Sequence, residues 1–197
     1  ARAMTLRVDD ERLSSLSKLA KQHRMQVIVG APLASPRTLP YLGAVIFDRD
    51  APPIAYAKMH LGESERDFFT PGDKPLAIES GSERIGISIC ADSAAPTHPA
   101  AYAAEGASVY AASVFLNREW YACDEPRFAA HAAKFKFMVL MANQANSVGT
   151  LSSVGNSAAW DSTGSLLARA EGTTSALVIA TRSGDKWKGD VLPLAKH

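Results

Sequence analysis

Between residue 9 and about residue 23, apolar side chains recur at three- and four-residue spacing. Leu13, Leu16, Leu19 and Ala20 form one stripe, which predicts an amphipathic helix. Asp9 and Asp10 can cap its start, and Glu11 suits the positive end of the helix dipole. Residues 25–29 then read as a strand, stopped by Gly30 and Pro32. Further strand-like runs fall at 42–47, 54–58, 84–90, 108–113, 139–142, 158–160, 166–170 and 176–181. Residues 99–105 and 124–136 read as helices. The second opens Asp124-Glu125-Pro126, with proline in the first turn, where its missing N–H costs nothing. Thr70-Pro71-Gly72-Asp73 and Ser162-Thr163-Gly164 punctuate the chain as turns. Strands alternate with helices early and dominate late. That pattern predicts a layered α/β domain rather than an all-parallel doubly wound sheet. With no repeat, low-complexity stretch or linker, residues 1–197 read as a single domain.

Composition narrows the function classes. The chain is 47% hydrophobic and 21% charged, which is ordinary for a globular protein and excludes disorder. Its formal net charge is +1, from 21 basic and 20 acidic residues, and no basic run points to nucleic acid. No apolar stretch approaches a membrane span and no signal-peptide pattern is present, so no membrane partner is expected. Cys90 and Cys123 lie in very different contexts and do not read as a disulfide framework, so a reducing, cytoplasmic compartment is expected.

The segment Arg84-Ile85-Gly86-Ile87-Ser88-Ile89-Cys90-Ala91-Asp92 carries the most chemistry. A β-branched strand runs into a cysteine and then breaks in a small, polar loop. A nucleophile there is held by a sheet yet open to substrate, and the Ala91 N–H can point at a developing oxyanion. A buried, inert cysteine fits the same position. Lys58 ends the apolar run Ile54-Ala55-Tyr56-Ala57. An ammonium near a thiol favours the thiolate and stabilises oxyanion charge, although a solvated lysine closing an edge strand is the alternative.

These residues resemble the nitrilase superfamily, the carbon–nitrogen hydrolases. Tyr56-Ala57-Lys58-Met59-His60-Leu61 is similar to the family's lysine motif, and Gly86-Ile87-Ser88-Ile89-Cys90-Ala91-Asp92 to its cysteine motif. Their separation of 32 residues, from 58 to 90, matches the family's spacing. Val27-Ile28-Val29-Gly30-Ala31-Pro32, Phe68-Phe69-Thr70-Pro71-Gly72, Gly106-Ala107-Ser108, Met141-Ala142-Asn143 and Gly155-Asn156-Ser157 resemble further landmarks. The likeness runs from about Leu13 to Ile179, and ordered motifs at compatible spacing are far more specific than any one alone.

The resemblance implies a four-layer αββα sandwich and a glutamate–lysine–cysteine triad that opens a small amide, carbamoyl compound or nitrile through an acyl-enzyme, without cofactor or metal. It implies Cys90 as nucleophile, Lys58 and the Ala91 N–H as oxyanion partners, and a homodimer or higher homo-oligomer. The family's base lies in a Phe-Pro-Glu motif upstream of the lysine, whereas Glu11 is the only glutamate before Lys58 and belongs to a helix start. The expectation is that the chain lacks an N-terminal strand and helix carrying that base; it begins Ala1-Arg2-Ala3. A second glutamate, best matched by Glu65 with Glu63 as fallback, is expected to orient Lys58 or substrate, and Asn143 to contact substrate or finish a strand. His60, Asp92 and His98 lack a recognised metal spacing, His131 reads as packing, and Cys123 as a structural or half-exposed thiol. Acyl transfer to an amine, or a catalytically silent binding relative, are the competing expectations.

Overall fold

A computed structural model describes residues 4–194. It divides into two compact units, one ending at Leu76 and the other beginning at Ala77. No helix among the described residues is long and apolar enough to cross a membrane.

In the first unit, a short 3-10 turn Glu11–Leu13 leads into helix α1, Ser14–Gln22. Asp10 caps the turn by accepting the Arg12 N–H. Strands β1 (Val27–Leu33), β2 (Tyr41–Phe47) and β3 (Ile54–Ala57) form an antiparallel meander in that order. Leu13 and Ala20 pack with Ala31, Leu33, Val45 and Phe47, and Leu16 packs against them, whereas Leu19, the other residue of the stripe read from the sequence, is exposed. The strand expected to stop at Gly30 and Pro32 instead continues through both to Leu33. Pro32 pairs with Leu42, whose carbonyl accepts the Lys58 N–H on the far side of β2. Pro32 therefore points away from β2; its carbonyl accepts the Leu6 N–H, and its missing donor costs the ladder nothing. Gly43 is equally specific. A Cβ there would lie 2.7 Å from Leu33 Cδ1 and against the Tyr56 carbonyl oxygen.

The second unit is built on a six-stranded mixed sheet of order β4-β5-β6-β7-β8-β9. Its strands are β4 (Ala77–Ser80), β5 (Glu83–Ile89), β6 (Val109–Val114), β7 (Met138–Asn143), β8 (Ala158–Trp160) and β9 (Leu166–Arg169). β5, β6 and β7 are parallel, joined by helices α2 (Thr97–Ala104) and α3 (Arg118–Phe135); the outer pairings are antiparallel. A hairpin of β10 (Ala176–Ser183) and β11 (Lys186–Pro193) follows. Phe128 stacks on Trp160 and Tyr110 on Phe137, at ring separations of 6.0 and 5.3 Å, within the larger core cluster.

α3 starts six residues earlier than expected, so Pro126 lies inside it rather than in its first turn. Asn117 caps the helix by accepting the Trp120 N–H at 2.8 Å, and buried Phe128 and Ala132 anchor its later turns. Packing and the cap outweigh the one hydrogen bond a proline removes. β4 and β11 are additions to the predicted strands. Parallel β5, β6 and β7 bring their carboxyl ends to one rim of the sheet, where ligands bind in open α/β folds.

Candidate active site

Cys90 lies at that rim. β5 ends at Ile89, and the chain turns at once into a 3-10 helix, Cys90–Ala94. Cys90 takes φ = 46°, in the left-handed region that a residue with a Cβ seldom adopts. Such backbone persists only where the surroundings over-determine it, and it is a hallmark of functional turns. Here the supports are visible. Asp92 Oδ2 accepts the Ile89 N–H at 3.0 Å, Ser93 Oγ donates to the Cys90 carbonyl at 2.9 Å, and His131 Nε2 lies 2.8 Å from the Ser93 carbonyl. A carbonyl can only accept, so that nitrogen of His131 carries a hydrogen. Burial holds the His131 pKa below its ordinary value, opposed by the bond to Ser93. His131 thus does more than pack: it ties α3 to the turn that carries Cys90.

The glycine in the cysteine motif has a clear cause. A Cβ on Gly86 would approach Tyr102 ring atoms at 2.5–2.9 Å. Tyr102, fully buried, lies across β5 and donates its hydroxyl hydrogen to the Ile87 carbonyl at 2.7 Å. Cys90 itself is half-buried, and Ala91 is the second residue of the short helix. Backbone N–H groups in the first turn of a helix have no intrahelical acceptor, and donors of that kind can stabilise an oxyanion.

Lys58, in the first unit, follows β3 directly. Its side chain is 0% exposed, and its Nζ donates to both Glu65 carboxylate oxygens at 2.7 and 2.6 Å. Glu65 also accepts the Gly62 N–H at 2.7 Å, which closes the short turn Glu63–Glu65 onto the lysine. The Gly72 N–H bonds the Lys58 carbonyl at 2.8 Å, so the Pro71-Gly72 turn fixes the other side of the same residue. Of the two glutamates considered, Glu65 is the lysine's partner and Glu63 is exposed. Glu11 is likewise exposed, at a helix start.

Asn143 ends β7 and is buried. Its Oδ1 accepts from the Leu116 N–H at 2.9 Å and from Ser153 Oγ at 3.3 Å. Its Nδ2 donates to the Gly155 carbonyl at 2.6 Å and the Leu116 carbonyl at 3.4 Å. All four hydrogen-bonding positions of the amide are engaged with the protein. Asn143 finishes strand β7, one of the two roles expected of it, and clamps two loops. Cys123 lies in α3, exposed. The sequence reading gave no role to Ser88, Ser93 or Tyr110, common types that matter through what they touch: Ser93 Oγ holds the Cys90 carbonyl, and Tyr110 donates its hydroxyl hydrogen to Ser88 Oγ at 2.9 Å.

The family profile for carbon–nitrogen hydrolases matches residues 2–188. The chain belongs to the carbon–nitrogen hydrolase family. Its fold is that of solved nitrilase-superfamily structures. Saccharomyces cerevisiae Nit3, described as a member of branch 10 of the superfamily, superposes with a TM-score of 0.77 at 21% identity, covering 93% of this chain and 65% of that one. A carbon–nitrogen hydrolase from Helicobacter pylori G27 gives 0.73 at 22% identity, over 82% and 63%. A variant of the amidase from Nesterenkonia sp. AN1, described with the acetamide moiety of fluoroacetamide added covalently at its active-site cysteine, gives 0.74 at 20% identity, over 92% and 65%. The chain thus spans less than two thirds of the length of each of these three structures. No curated protein matches the sequence.

Proposed function

We propose that the chain cleaves a non-peptide carbon–nitrogen bond in a small amide, carbamoyl compound or nitrile through an acyl-enzyme on Cys90. The observation that carries this reading is the left-handed Cys90 at the carboxyl end of parallel strand β5, where a strand-to-helix turn presents a nucleophile. Family membership and the acyl chemistry described for the Nesterenkonia amidase support it. Both units contribute to one hydrolase domain, as the single family match across residues 2–188 supports.

For an amide, a carboxylate base takes the thiol proton and Cys90 Sγ bonds to the carbonyl carbon. The oxygen becomes an oxyanion, stabilised by the Lys58 ammonium and the Ala91 N–H. Collapse breaks the carbon–nitrogen bond, and the nitrogen leaves with the proton held by the base. Water, deprotonated by the same base, then attacks the thioester; the acid departs and the thiol is restored. Glu65 holds the Lys58 side chain in place through two hydrogen bonds. The base is a second carboxylate, which the family resemblance puts in a Phe-Pro-Glu motif that these 197 residues do not contain.

The test is ammonia or amine release from a panel of small amides and nitriles by the full-length protein. Cys90→Ala abolishes release, and Lys58→Ala lowers it by at least about 100-fold, the scale of a lost oxyanion donor. Retention of parental turnover by Cys90→Ala would refute the reading.

A further inference from the structure

Two residues that take no part in the reaction steps above act on the peptide that joins Cys90 to Ala91. Ser93, on the short helix after β5, is 1% exposed, and its Oγ donates its one hydrogen to the Cys90 carbonyl at 2.9 Å. The Ser93 carbonyl in turn lies 2.8 Å from Nε2 of His131, late in α3. That nitrogen carries a hydrogen whatever else surrounds the ring, because a carbonyl oxygen has none to give. Side chain and main chain of Ser93 are thus both engaged, one toward Cys90 and the other toward α3.

The consequence follows from covalent geometry. A peptide unit is planar, and when it is trans its C=O and N–H point in opposite directions. The Cys90–Ala91 peptide is trans. With its carbonyl drawn toward buried Ser93, its N–H, which belongs to Ala91, is aimed the opposite way before any substrate arrives. A hydrogen bond accepted at the carbonyl also polarises the amide and strengthens the same N–H as a donor. Cys90 needs such a hold, because its φ of 46° costs a residue with a Cβ energy that the surroundings must supply. We infer that Ser93 is a positioning residue for the Ala91 oxyanion donor, and that His131 keeps Ser93 in place for that task. Ser93 acts through the Cys90–Ala91 peptide, and His131 acts through Ser93. The inference rests on Cys90 being the nucleophile and the Ala91 N–H its oxyanion partner, as proposed above.

A misplaced oxyanion donor affects two thiol reagents differently. p-Nitrophenyl acetate acylates the thiolate through a tetrahedral oxyanion, which collapses to a thioester and p-nitrophenolate. Iodoacetamide alkylates the thiolate by displacement of iodide at carbon, and no oxyanion forms. In the full-length protein, Ser93→Ala slows acylation at Cys90 about tenfold, the rate equivalent of one ordinary hydrogen bond. Alkylation at Cys90 changes by less than about twofold, because access to the thiolate is unaltered. His131→Leu fills similar space without a donor and slows acylation by about three- to tenfold. His131→Gln, whose amide nitrogen can still donate to the Ser93 carbonyl, stays within about twofold of the parent. In the Ser93→Ala background, His131→Leu adds less than about twofold, because the hydroxyl it serves is gone. Parental acylation in Ser93→Ala, or equal slowing of both reagents, would overturn the inference while leaving the nucleophile intact. So would a His131→Gln protein as slow as His131→Leu, or full additivity in the double variant. A parent protein in which neither reagent modifies Cys90 would instead remove the nucleophile reading, and the inference with it.

Discussion

Glu65→Ala withdraws two charge-assisted hydrogen bonds from an ammonium that solvent does not reach. The magnitude follows from burial. Lys58 is 0% exposed at the side chain and Glu65 25%, so one partner is wholly desolvated and the other largely so. Leaving such a charge unpaired costs about 3–5 kcal/mol. Coulomb's law gives a compatible figure, about 4 kcal/mol for charges ~4 Å apart at an effective dielectric of about 20. In a chain of this size the midpoint of thermal unfolding falls roughly 2–4 °C per kcal/mol, so a drop of roughly 6–20 °C is expected. The double variant Lys58→Met with Glu65→Gln provides the control. It replaces the pair by neutral groups of similar volume, and the introduced amide oxygen can still accept the Gly62 N–H, so most of the loss is recovered. The assay is denaturant and thermal unfolding of the parent, Glu65→Ala and the double variant. A Glu65→Ala protein within about 1 kcal/mol of the parent would refute the reasoning, because a solvated pair has that worth.

Three further expectations follow from other contacts. Gly86→Ala drives a methyl group into the Tyr102 ring and costs about 1–3 kcal/mol by overpacking, read from denaturant midpoints; an unchanged midpoint would mean that β5 and Tyr102 are not packed this tightly. Glu83 accepts from Ser108 Oγ at 2.6 Å and pairs with Arg182, and the Ser108 bond does most to hold its carboxyl below the usual range. Because the folded value is depressed, its stabilisation is present above the ordinary glutamate pKa and fades as pH falls through the folded value. Glu83→Gln therefore lowers stability by about 1 kcal/mol at neutral pH and by progressively less in acid; a pH-independent difference would contradict this. Cys123→Ala, at an exposed position on α3, leaves turnover and stability near parental values, and a large loss of either would give that thiol a role it lacks here.

Much of the fold was legible because several strands carry apolar runs and α1 carries an apolar stripe, most of which meets the sheet. The lysine and cysteine motifs were legible for a different reason: each joins a strand end to a turn whose small residues leave little choice. Gly86 marks the passage of Tyr102, and Gly72 sits where a Cβ would meet the backbone of Ala57. What stayed hidden depends on long-range contacts. Pro32 ends a strand in a local reading, yet its register on β2 turns it to the outer edge. Pro126 reads as a first-turn residue until Asn117 is seen to cap the helix well upstream, with Phe128 and Ala132 buried beyond the proline. β11 mixes charged residues with a glycine, and only its pairing with β10 makes it a strand. Asn143 reads as a polar group at a strand end, with nothing local to reveal that Leu116, Ser153 and Gly155 claim its entire amide. His98, Tyr110 and Ser88 are separated by up to 22 residues, and the hydrogen bonds that join them form only once α2 and β6 pack on β5.

The most direct test of the central claim is an intact-protein mass spectrum of the full-length protein before and after rapid mixing with small amides and nitriles. The account predicts a mass gain equal to the acyl group, mapped by peptide sequencing to Cys90 and absent from Cys90→Ala. Turnover of the same substrates with no adduct at Cys90, or with the adduct at Cys123, would contradict it.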